Sequence, residues 1–349
     1  MFLAWNEMKR NKLKFGLIIG VLIMISYLLF LLSGLANGLI NMNREGIDKW
    51  HADAIVLNKD ANQTVEQSIF DKNEASDTFK KADLLKQTGV IVSNGKKEEN
   101  ALLFGIAKNS FLIPKIIQGH SFTKNNQVVA DETLKEKGFK VGDELSLSQS
   151  DEKLKIVGFS ESAKYNASPV LFSNYQTLQA INPKMTANKT NAVVVRDKHW
   201  KDKKLDSGLE AISIEDFVQN LPGYKAQNLT LNFMITFLFI ISATVIGIFL
   251  YVITLQKTNL FGVLKAQGFT NGYLAKVVLA QTFIIALIGT IFGLVLTLLT
   301  GIFLPSAVPI AFNPLTLAVY GIVLIVVSLI GSLFSILTIR KVDPLKAIG

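Results

Sequence analysis

The chain has 349 residues, of which 50% are hydrophobic, and it carries a formal net charge of +9 and no cysteine. The lack of cysteine excludes disulfides, thiolate metal sites and cysteine nucleophiles. Residues 41–230 hold 26 of the 36 Lys and Arg residues and 25 of the 27 Asp and Glu residues, so that stretch is nearly neutral. The excess positive charge lies in short flanking segments. This distribution argues against a nucleic-acid partner and is typical of the positive-inside bias of membrane proteins.

Four apolar runs of 25 to 27 residues lie at 15–40, 231–255, 277–303 and 315–339. Each exceeds the roughly 20 residues that a helix needs to cross a bilayer, and a backbone in lipid must satisfy its own hydrogen bonds. We therefore predict four transmembrane helices in the cell membrane. The basic segments at 1–14, 256–276 and 340–349 are expected in the cytoplasm, which places both termini inside. Small residues at 33–38, at the end of the first run, leave a cleaved signal peptide as the alternative for that run.

The first 14 residues alternate apolar and basic side chains, as in an amphipathic helix that lies on the inner leaflet. The alternative is an ordinary basic flank to the first span. Residues 41–230 are long enough for one or two compact domains. We predict an extracytoplasmic α+β domain, inserted between the first and second transmembrane helices. Its predicted elements include strands at 51–60, 145–147, 154–159, 170–172 and 192–196, helices at 74–88 and 214–220, and a hairpin turn at Asn94-Gly95.

Candidate binding residues lie at both ends of this domain. Met42 and Glu45 are three positions apart, so they share one face of the helix that continues the first span. Glu45 could pair with a substrate near the outer leaflet, and the alternative is a solvated helix end. Tyr224 follows a turn next to the second span, where tyrosines commonly anchor a protein at the membrane surface. Tyr165 lies in a polar stretch that we expect to be a loop.

Residues 256–276 connect the second and third spans on the predicted cytoplasmic side. Their sequence predicts one short helix with an apolar face of Leu260, Phe261, Val263 and Leu264, terminated at Gly268. Such a helix can offer its surface to another protein. Two G-x-x-x-G pairs, Gly34 with Gly38 and Gly289 with Gly293, indicate close helix contacts.

The chain contains no G-x-x-x-x-G-K-[ST] phosphate-binding loop, and its three histidines are not spaced as a metal site. The apolar runs carry essentially no ionisable residues, although ion-driven transporters usually need some within the membrane. We therefore expect no enzymatic activity, no intrinsic cofactor or metal, and a separate partner that hydrolyses ATP.

Three stretches resemble an FtsX-like, MacB-type ABC transporter permease. They are QVVADETLKEKGFKVGD at 127–143, LFGVLKAQG at 260–268 and IRKVDPLKAI at 339–348. Further stretches, SGLANGL at 33–39 and NLPGYKAQNLTLNFM at 220–234, are similar to the haem-efflux permeases of the HrtB type.

The resemblance implies a permease homodimer that pairs with a cytoplasmic ABC ATPase and exports haem dissolved in the membrane lipid. It makes Glu45, Met42, Tyr165 and Tyr224 substrate-binding candidates, with Glu45 as a possible contact of the haem iron. It assigns ATPase coupling to a set of residues in the cytoplasmic loop: Leu260, Phe261, Gly262, Leu264, Lys265 and Gly268. The alternatives are a signalling subunit that activates a cell-wall hydrolase, and an exporter of another hydrophobic compound or of lipoproteins.

Overall fold

The computed structural model describes residues 8–75, 78–95, 97–305 and 308–340. The chain divides into two compact units. The first, called the helical unit, comprises Met1–Gly38 and Asn228–Gly349, and the second, called the β unit, comprises Leu39–Gln227. Part of the predicted N-terminal helix at 1–14 and nearly all of the predicted tail at 340–349 lie outside the described residues.

The β unit combines runs of strands with short helices, whereas the described part of the helical unit contains helices and their connections. In chain order, the helices are α1 (Lys12–Lys49), α2 (Glu132–Glu136), α3 (Tyr175–Ile181), α4 (Ile214–Gln219), α5 (Tyr224–Gln256), α6 (Thr258–Ala266), α7 (Asn271–Phe303), α8 (Pro314–Gly331) and α9 (Leu333–Arg340). The strands are β1 (Ala54–Asn58), β2 (Phe70–Asp71), β3 (Ala82–Asn94), β4 (Lys97–Gly105), β5 (Ile116–Gly119), β6 (Gln127–Asp131), β7 (Glu144–Leu147), β8 (Ser150–Ser160), β9 (Val170–Ser173), β10 (Lys189–Thr190), β11 (Ala192–Val195) and β12 (Leu209–Ser213).

Among the described residues, four helical stretches are long and apolar enough to cross a membrane: Lys12–Lys49, Tyr224–Gln256, Asn271–Phe303 and Pro314–Leu337. Local sequence sets two of their starts. The Thr270 hydroxyl accepts from the Tyr273 amide ahead of α7, and the Asn313 side chain accepts from Leu315 and Thr316 ahead of α8, where Pro314 takes the first helical position. At 1.5 Å per residue α1 is about 57 Å long, well beyond a hydrocarbon core of about 30 Å. Its last residues, from Leu39 onward, belong to the β unit.

Small residues bring the helices of the helical unit together. A Cβ on Gly293 would lie 2.0 Å from the Ser26 hydroxyl of α1, and one on Gly289 would lie 2.7 Å from the Leu22 side chain. Ser26 also donates a hydrogen bond to the Gly289 carbonyl at 2.9 Å. Gly34 and Gly38 of α1 lie equally close to residues 309–312. The Gly289 and Gly293 pair therefore makes the predicted helix contact, whereas Gly34 and Gly38 contact the loop that precedes α8.

Six strands of the β unit form a closed ring in the order β3, β4, β9, β6, β8, β7 and back to β3. The ring encloses an apolar core to which Val92, Leu103, Leu171, Ile156 and Leu145 contribute. These residues come from five of the strands, on the inward positions of an alternating pattern. The first four residues of β3 pair instead with β11, and the sheet continues from there through β1 to β12.

The structure confirms the Asn94-Gly95 hairpin, because β3 and β4 pair in antiparallel register up to Asn94 and Lys97, and Gly95 has a φ of +65°. The predicted helix at 74–88 is wrong. Apart from a 3-10 turn at Lys72–Glu74, the described part of this segment contains no helix, and β3 begins at Ala82. Its helix-forming side chains are overridden by pairing with β4 and β11 on either side.

Candidate functional site

The last turns of α1 are held within the β unit by the loop of residues 161–168. The Gly46 amide donates to the Lys164 carbonyl at 2.8 Å, while the amides of Asn166 and Ala167 donate to the carbonyls of Asn43 and Met42, both at 3.0 Å. A Cβ on Gly46 would lie 2.6 Å from the Ala163 carbonyl oxygen, so only glycine permits this approach. Backbone hydrogen bonds therefore fix the loop directly beside the predicted residues Met42 and Glu45.

Glu45 is partly buried and already has hydrogen-bond partners from its own chain. Its Oε2 accepts from the Ser162 hydroxyl at 2.7 Å, and its Oε1 lies 3.8 Å from Lys49 Nζ. Lys49 also donates to the Ser162 carbonyl and lies 3.7 Å from the Glu161 carboxylate. A ligand that coordinates Glu45 through Oε2 must therefore compete with the Ser162 hydroxyl.

Met42 is partly exposed on the same helix face as Glu45. The neighbouring positions Asn43, Gly46 and Ile47 are buried toward the β unit. The structure thus leaves a thioether and a carboxylate together at the edge of the loop, which agrees with the i, i+3 spacing of the sequence.

The two candidate tyrosines lie in the core of the β unit. Tyr165 is 5% exposed and its ring lies 6.1 Å from the Trp50 ring and 5.6 Å from the Phe104 ring, measured between centroids. Burial, with a further contribution from the Glu66 charge, raises the pKa of Tyr165 well above its usual range. Tyr224 is 3% exposed and belongs to the same apolar cluster.

Tyr165 lies in a loop, as predicted, but the loop turns its ring inward onto Trp50 and Phe104, so the ring is not accessible as a binding surface. Tyr224 does not lie at an exposed membrane surface, because its ring packs in the core and its hydroxyl interacts with Arg44. Neither ring offers an accessible face of porphyrin size in this structure.

The helical unit has an apolar groove of about 410 Å³ between α1 and α5. Leucines of α1 form one wall, and Met234, Phe237 and Leu238 of α5 form the other. The α1 leucines are Leu28, Leu31, Leu32 and Leu35. A groove without charged residues can accept an apolar molecule that arrives through the lipid.

The loop between the second and third apolar helices contains the predicted short helix, and the prediction that Gly268 terminates it is confirmed. The amide of Gly268 donates to the Lys265 carbonyl at 2.9 Å, and the amide of Phe269 donates to the Leu264 carbonyl at 3.1 Å. With a φ of +92° at Gly268, this is the Schellman arrangement that ends helices.

The predicted coupling residues divide between two faces of α6. Phe261 is 5% exposed and packs on Leu274, Val278 and Ile339, and Gly262 is also buried. Lys265 Nζ donates to the Ile339 carbonyl at 2.7 Å, and Leu264 is partly buried on the same cluster. In contrast, Leu260 is 51% exposed. The inward residues therefore attach α6 to its own unit.

Val263 was predicted on the apolar face of this helix, but Phe269 and Tyr273 were not singled out from the sequence. Val263 is 38% exposed one helical turn after Leu260, and the exposed rings of Phe269 and Tyr273 contact each other at 5.2 Å. The i, i+3 spacing of Leu260 and Val263 was available as a signal for one shared face. Nothing in the local sequence pointed to Ser162, which lies 117 positions from Glu45.

Comparison with known proteins gives a family match in the C-terminal part. A family described as "FtsX-like permease C-terminal" matches residues 232–344, which include α6, α7 and α8. Over the full length, the chain is 29% identical to the "Putative hemin transport system permease protein HrtB" of Staphylococcus epidermidis, covering 100% of this chain and 99% of that protein. A protein of the same name from Staphylococcus haemolyticus is 26% identical, again with 100% of this chain and 99% of that protein covered.

More distant matches carry names of the same general kind. An uncharacterized ABC transporter permease of Mycobacterium tuberculosis is 24% identical, with 100% of this chain and 99% of that protein covered. Among solved structures, the periplasmic region of MacB from Actinobacillus actinomycetemcomitans aligns with 52% of this chain and 97% of its own, at 15% identity and a TM-score of 0.37. The extracellular domain of the Gram-positive transporter YknZ aligns with 46% of this chain and 98% of its own, at 11% identity and a TM-score of 0.35. The chain is therefore similar over its full length to ABC transporter permeases, and its residues 232–344 match the C-terminal domain of FtsX-like permeases.

Proposed function

We propose that this chain is the permease subunit of an ABC-type efflux transporter that expels haem from the membrane. The observation that carries the proposal is the end-to-end similarity to proteins named as hemin transport permeases, which extends through the β unit as well as the helices. The lack of a phosphate-binding loop in the sequence assigns ATP hydrolysis to a partner.

Haem has an apolar ring and an iron that accepts thioether and oxygen ligands. Glu45 and Met42 supply these two ligand types on one face of α1. We propose that they contact the iron near the outer leaflet, and that Tyr165 and Tyr224 act in folding because both rings are buried.

The hydrogen bond from Ser162 links the proposed haem contact to the loop 161–168. The Ser162 hydroxyl bonds to Glu45 Oε2 at 2.7 Å, and we propose that haem displaces it when the carboxylate binds the iron. The loop 161–168 would then lose one of its links to α1. Binding of the substrate and movement of the loop are therefore linked.

The apolar groove between α1 and α5 supports an entry path from the lipid. Its leucines and Phe237 match the chemistry of a porphyrin face, and its walls carry no charge that a haem would have to desolvate. An uncharged membrane path agrees with a transporter that obtains its energy from a partner.

We propose that a cytoplasmic ABC ATPase docks on the exposed surface at α6 and the residues just after it, defined by Leu260, Val263, Phe269 and Tyr273. Exposed aromatic and aliphatic side chains of this kind often anchor protein interfaces. The family resemblance supports a permease homodimer with two ATPase copies. The positive-inside bias supports cytoplasmic termini, which puts α6 on the ATP side of the membrane.

The function can be tested by deleting the gene and titrating haemin against growth. We expect haemin hypersensitivity and higher intracellular haem, both restored by the intact gene and not by Glu45→Ala. The matched control is Glu215→Ala, which removes an exposed carboxylate bonded to Arg44 at 3.0 Å. Altered cell division with normal haemin tolerance would instead favour a signalling subunit.

A binding measurement tests the site separately. Haemin added to the purified chain should shift its absorbance, and Glu45→Ala should abolish the shift while Glu215→Ala leaves it unchanged. An unchanged shift in Glu45→Ala would remove Glu45 from the site without removing the efflux function.

A further inference from the structure

The helical unit carries a positive charge that its own described residues do not neutralise. Its segments 8–38 and 228–305 contain seven Lys or Arg residues and no Asp or Glu. Four of the seven cations lie within residues 9–14, at the start of the first apolar helix. Because opposite charges attract and these segments supply none, the surface favours an anion from outside the unit.

The start of α1 is attached to the end of α5. Lys14 Nζ donates a hydrogen bond to Gln256 Oε1 at 2.5 Å, and Lys257 Nζ lies 5.2 Å from the centroid of the Phe15 ring. The Phe15 ring is 2% exposed and packs in one cluster with Leu250 of α5. These contacts bring the charges of Lys14 and Lys257 to the same end of the helical unit.

Two lysines at the start of α1 have donors to spare. The side chains of Lys12 and Lys14 are exposed, and that of Lys12 makes no hydrogen bond or ion pair with another described residue. An ammonium group has three donors, and Lys14 gives one of them to Gln256. Ammonium groups form strong, charge-assisted hydrogen bonds to phosphate oxygens. Both side chains can therefore bind a phosphate.

An open apolar strip begins beside these lysines. Leu13 is 85% exposed and Leu17 is 54% exposed, and their i, i+4 spacing puts them on one face of α1. Gly16 adds no side chain, and among the described residues no packing neighbour lies within 4 Å of the position that its Cβ would occupy. The strip is thus flat and unobstructed, which suits an acyl chain that lies along the helix.

The order of charge and apolar surface along α1 matches the order within a phospholipid. Lys14 directly precedes the apolar run that begins at Phe15. In a helix that crosses a bilayer, lysines at this position lie at the level of the lipid head groups. An acidic protein surface would match the lysines but not the apolar strip, which continues into the span.

We propose that the start of α1 binds an anionic phospholipid, whose phosphate contacts Lys12 and Lys14 and whose acyl chain lies along Leu13 and Leu17. A zwitterionic lipid is disfavoured, because its own cationic group would face the lysines. Each lysine near an anionic lipid surface should contribute about fivefold in affinity.

The test measures lipid binding to the purified full-length chain in detergent by native mass spectrometry, with phosphatidylglycerol and phosphatidylcholine as probes. Phosphatidylglycerol should bind more tightly. The double variant Lys12→Gln, Lys14→Gln should weaken its binding by about thirtyfold. The control double variant Lys108→Gln, Lys124→Gln removes two exposed lysines of the β unit and should leave the affinity unchanged.

Two single variants separate the parts of the site. Lys12→Gln alone keeps the bond from Lys14 to Gln256, so its effect of about fivefold cannot come from loosening α1 from α5. Leu13→Ser should weaken phosphatidylglycerol by about fivefold through the acyl chain. Ile117→Ser, at an exposed site of the β unit, is its control. Glycerol phosphate, which has no acyl chain, should not bind saturably.

Equal affinities for the two lipids, or unchanged phosphatidylglycerol binding in the double variant, would overturn the proposal. Saturable binding of glycerol phosphate that equals that of the lipid would also contradict it, because the acyl chain would then contribute nothing. If the double variant loses the ATPase partner but keeps its lipid affinity, the lysines bind an acidic protein surface and the proposal is wrong. The thermal unfolding temperature of every variant is measured to verify folding.

Discussion

The candidate binding residue at the end of α1 has a hydrogen-bond partner in its own chain, whereas the candidate docking residue on α6 is exposed. Glu45 at the end of α1 is already bonded to Ser162 and lies near Lys49. On α6, Leu260 is left exposed while Phe261 behind it is buried. A ligand at Glu45 Oε2 must replace an internal hydrogen bond, whereas a partner can bind at Leu260 without replacing any internal contact of α6. Substitutions at the end of α1 should therefore change both ligand binding and stability, whereas a substitution on α6 should change either partner binding or stability, depending on the face.

The largest effect is expected for Phe261→Ala. This side chain packs on Leu274, Val278 and Ile339, so its removal should lower the free energy of unfolding by about 3 to 5 kcal/mol. The measurement is the thermal unfolding temperature of the purified chain. Val263→Ala, on the exposed face of the same helix, should change the free energy of unfolding by less than about 0.5 kcal/mol. Equal unfolding temperatures for both variants would contradict the assignment of two faces.

Leu260→Asp should weaken binding of the ATPase partner by about 2 kcal/mol, or about thirtyfold in affinity, because a charge replaces an apolar interface side chain. Co-purification of the partner and its affinity measure the effect, and the unfolding temperature should stay the same. Val141→Asp makes the same kind of change at an exposed site in the β unit and serves as the control. Retained partner binding by Leu260→Asp would place the docking surface elsewhere.

Gly46→Ala should destabilise the β unit by about 1 to 3 kcal/mol, because its Cβ would lie 2.6 Å from the Ala163 carbonyl oxygen. Gly89→Ala is the control, since no atom lies within 4 Å of the position its Cβ would occupy. Hydrogen exchange of the amides in residues 161–168 measures the local effect. Unchanged protection of this loop in Gly46→Ala would show that the contact does not hold it.

The smallest effect is expected for Ser162→Ala. Removing the hydroxyl that bonds to Glu45 should tighten haemin binding by about three- to tenfold, the equivalent of one hydrogen bond. Absorbance titration of the purified chain measures the affinity, with the exposed Ser148→Ala as the control. Weaker binding by Ser162→Ala would mean that the hydroxyl supports the haem site and does not compete for it.

The success of sequence reasoning varied with how local the relevant interaction is. The hairpin at Asn94-Gly95 and the helix end at Gly268 were predictable because backbone conformation at one or two residues decides them. The segment 74–88 was predicted wrongly because strand pairing with distant β4 and β11 decided its conformation. The two faces of α6 depend on Ile339, some 74 positions from Lys265, which the loop sequence does not contain.

The sequence by itself determined the four membrane helices, because spanning a bilayer depends on the length and hydropathy of a continuous segment. It also placed Met42 and Glu45 on one helix face, through helical spacing alone. Only the tertiary structure decided that β7 closes the ring onto β3 and that Tyr165 is buried. It also decided that Glu45 meets Ser162 from 117 positions away. These features arise from packing between distant segments, whose contacts no local pattern encodes.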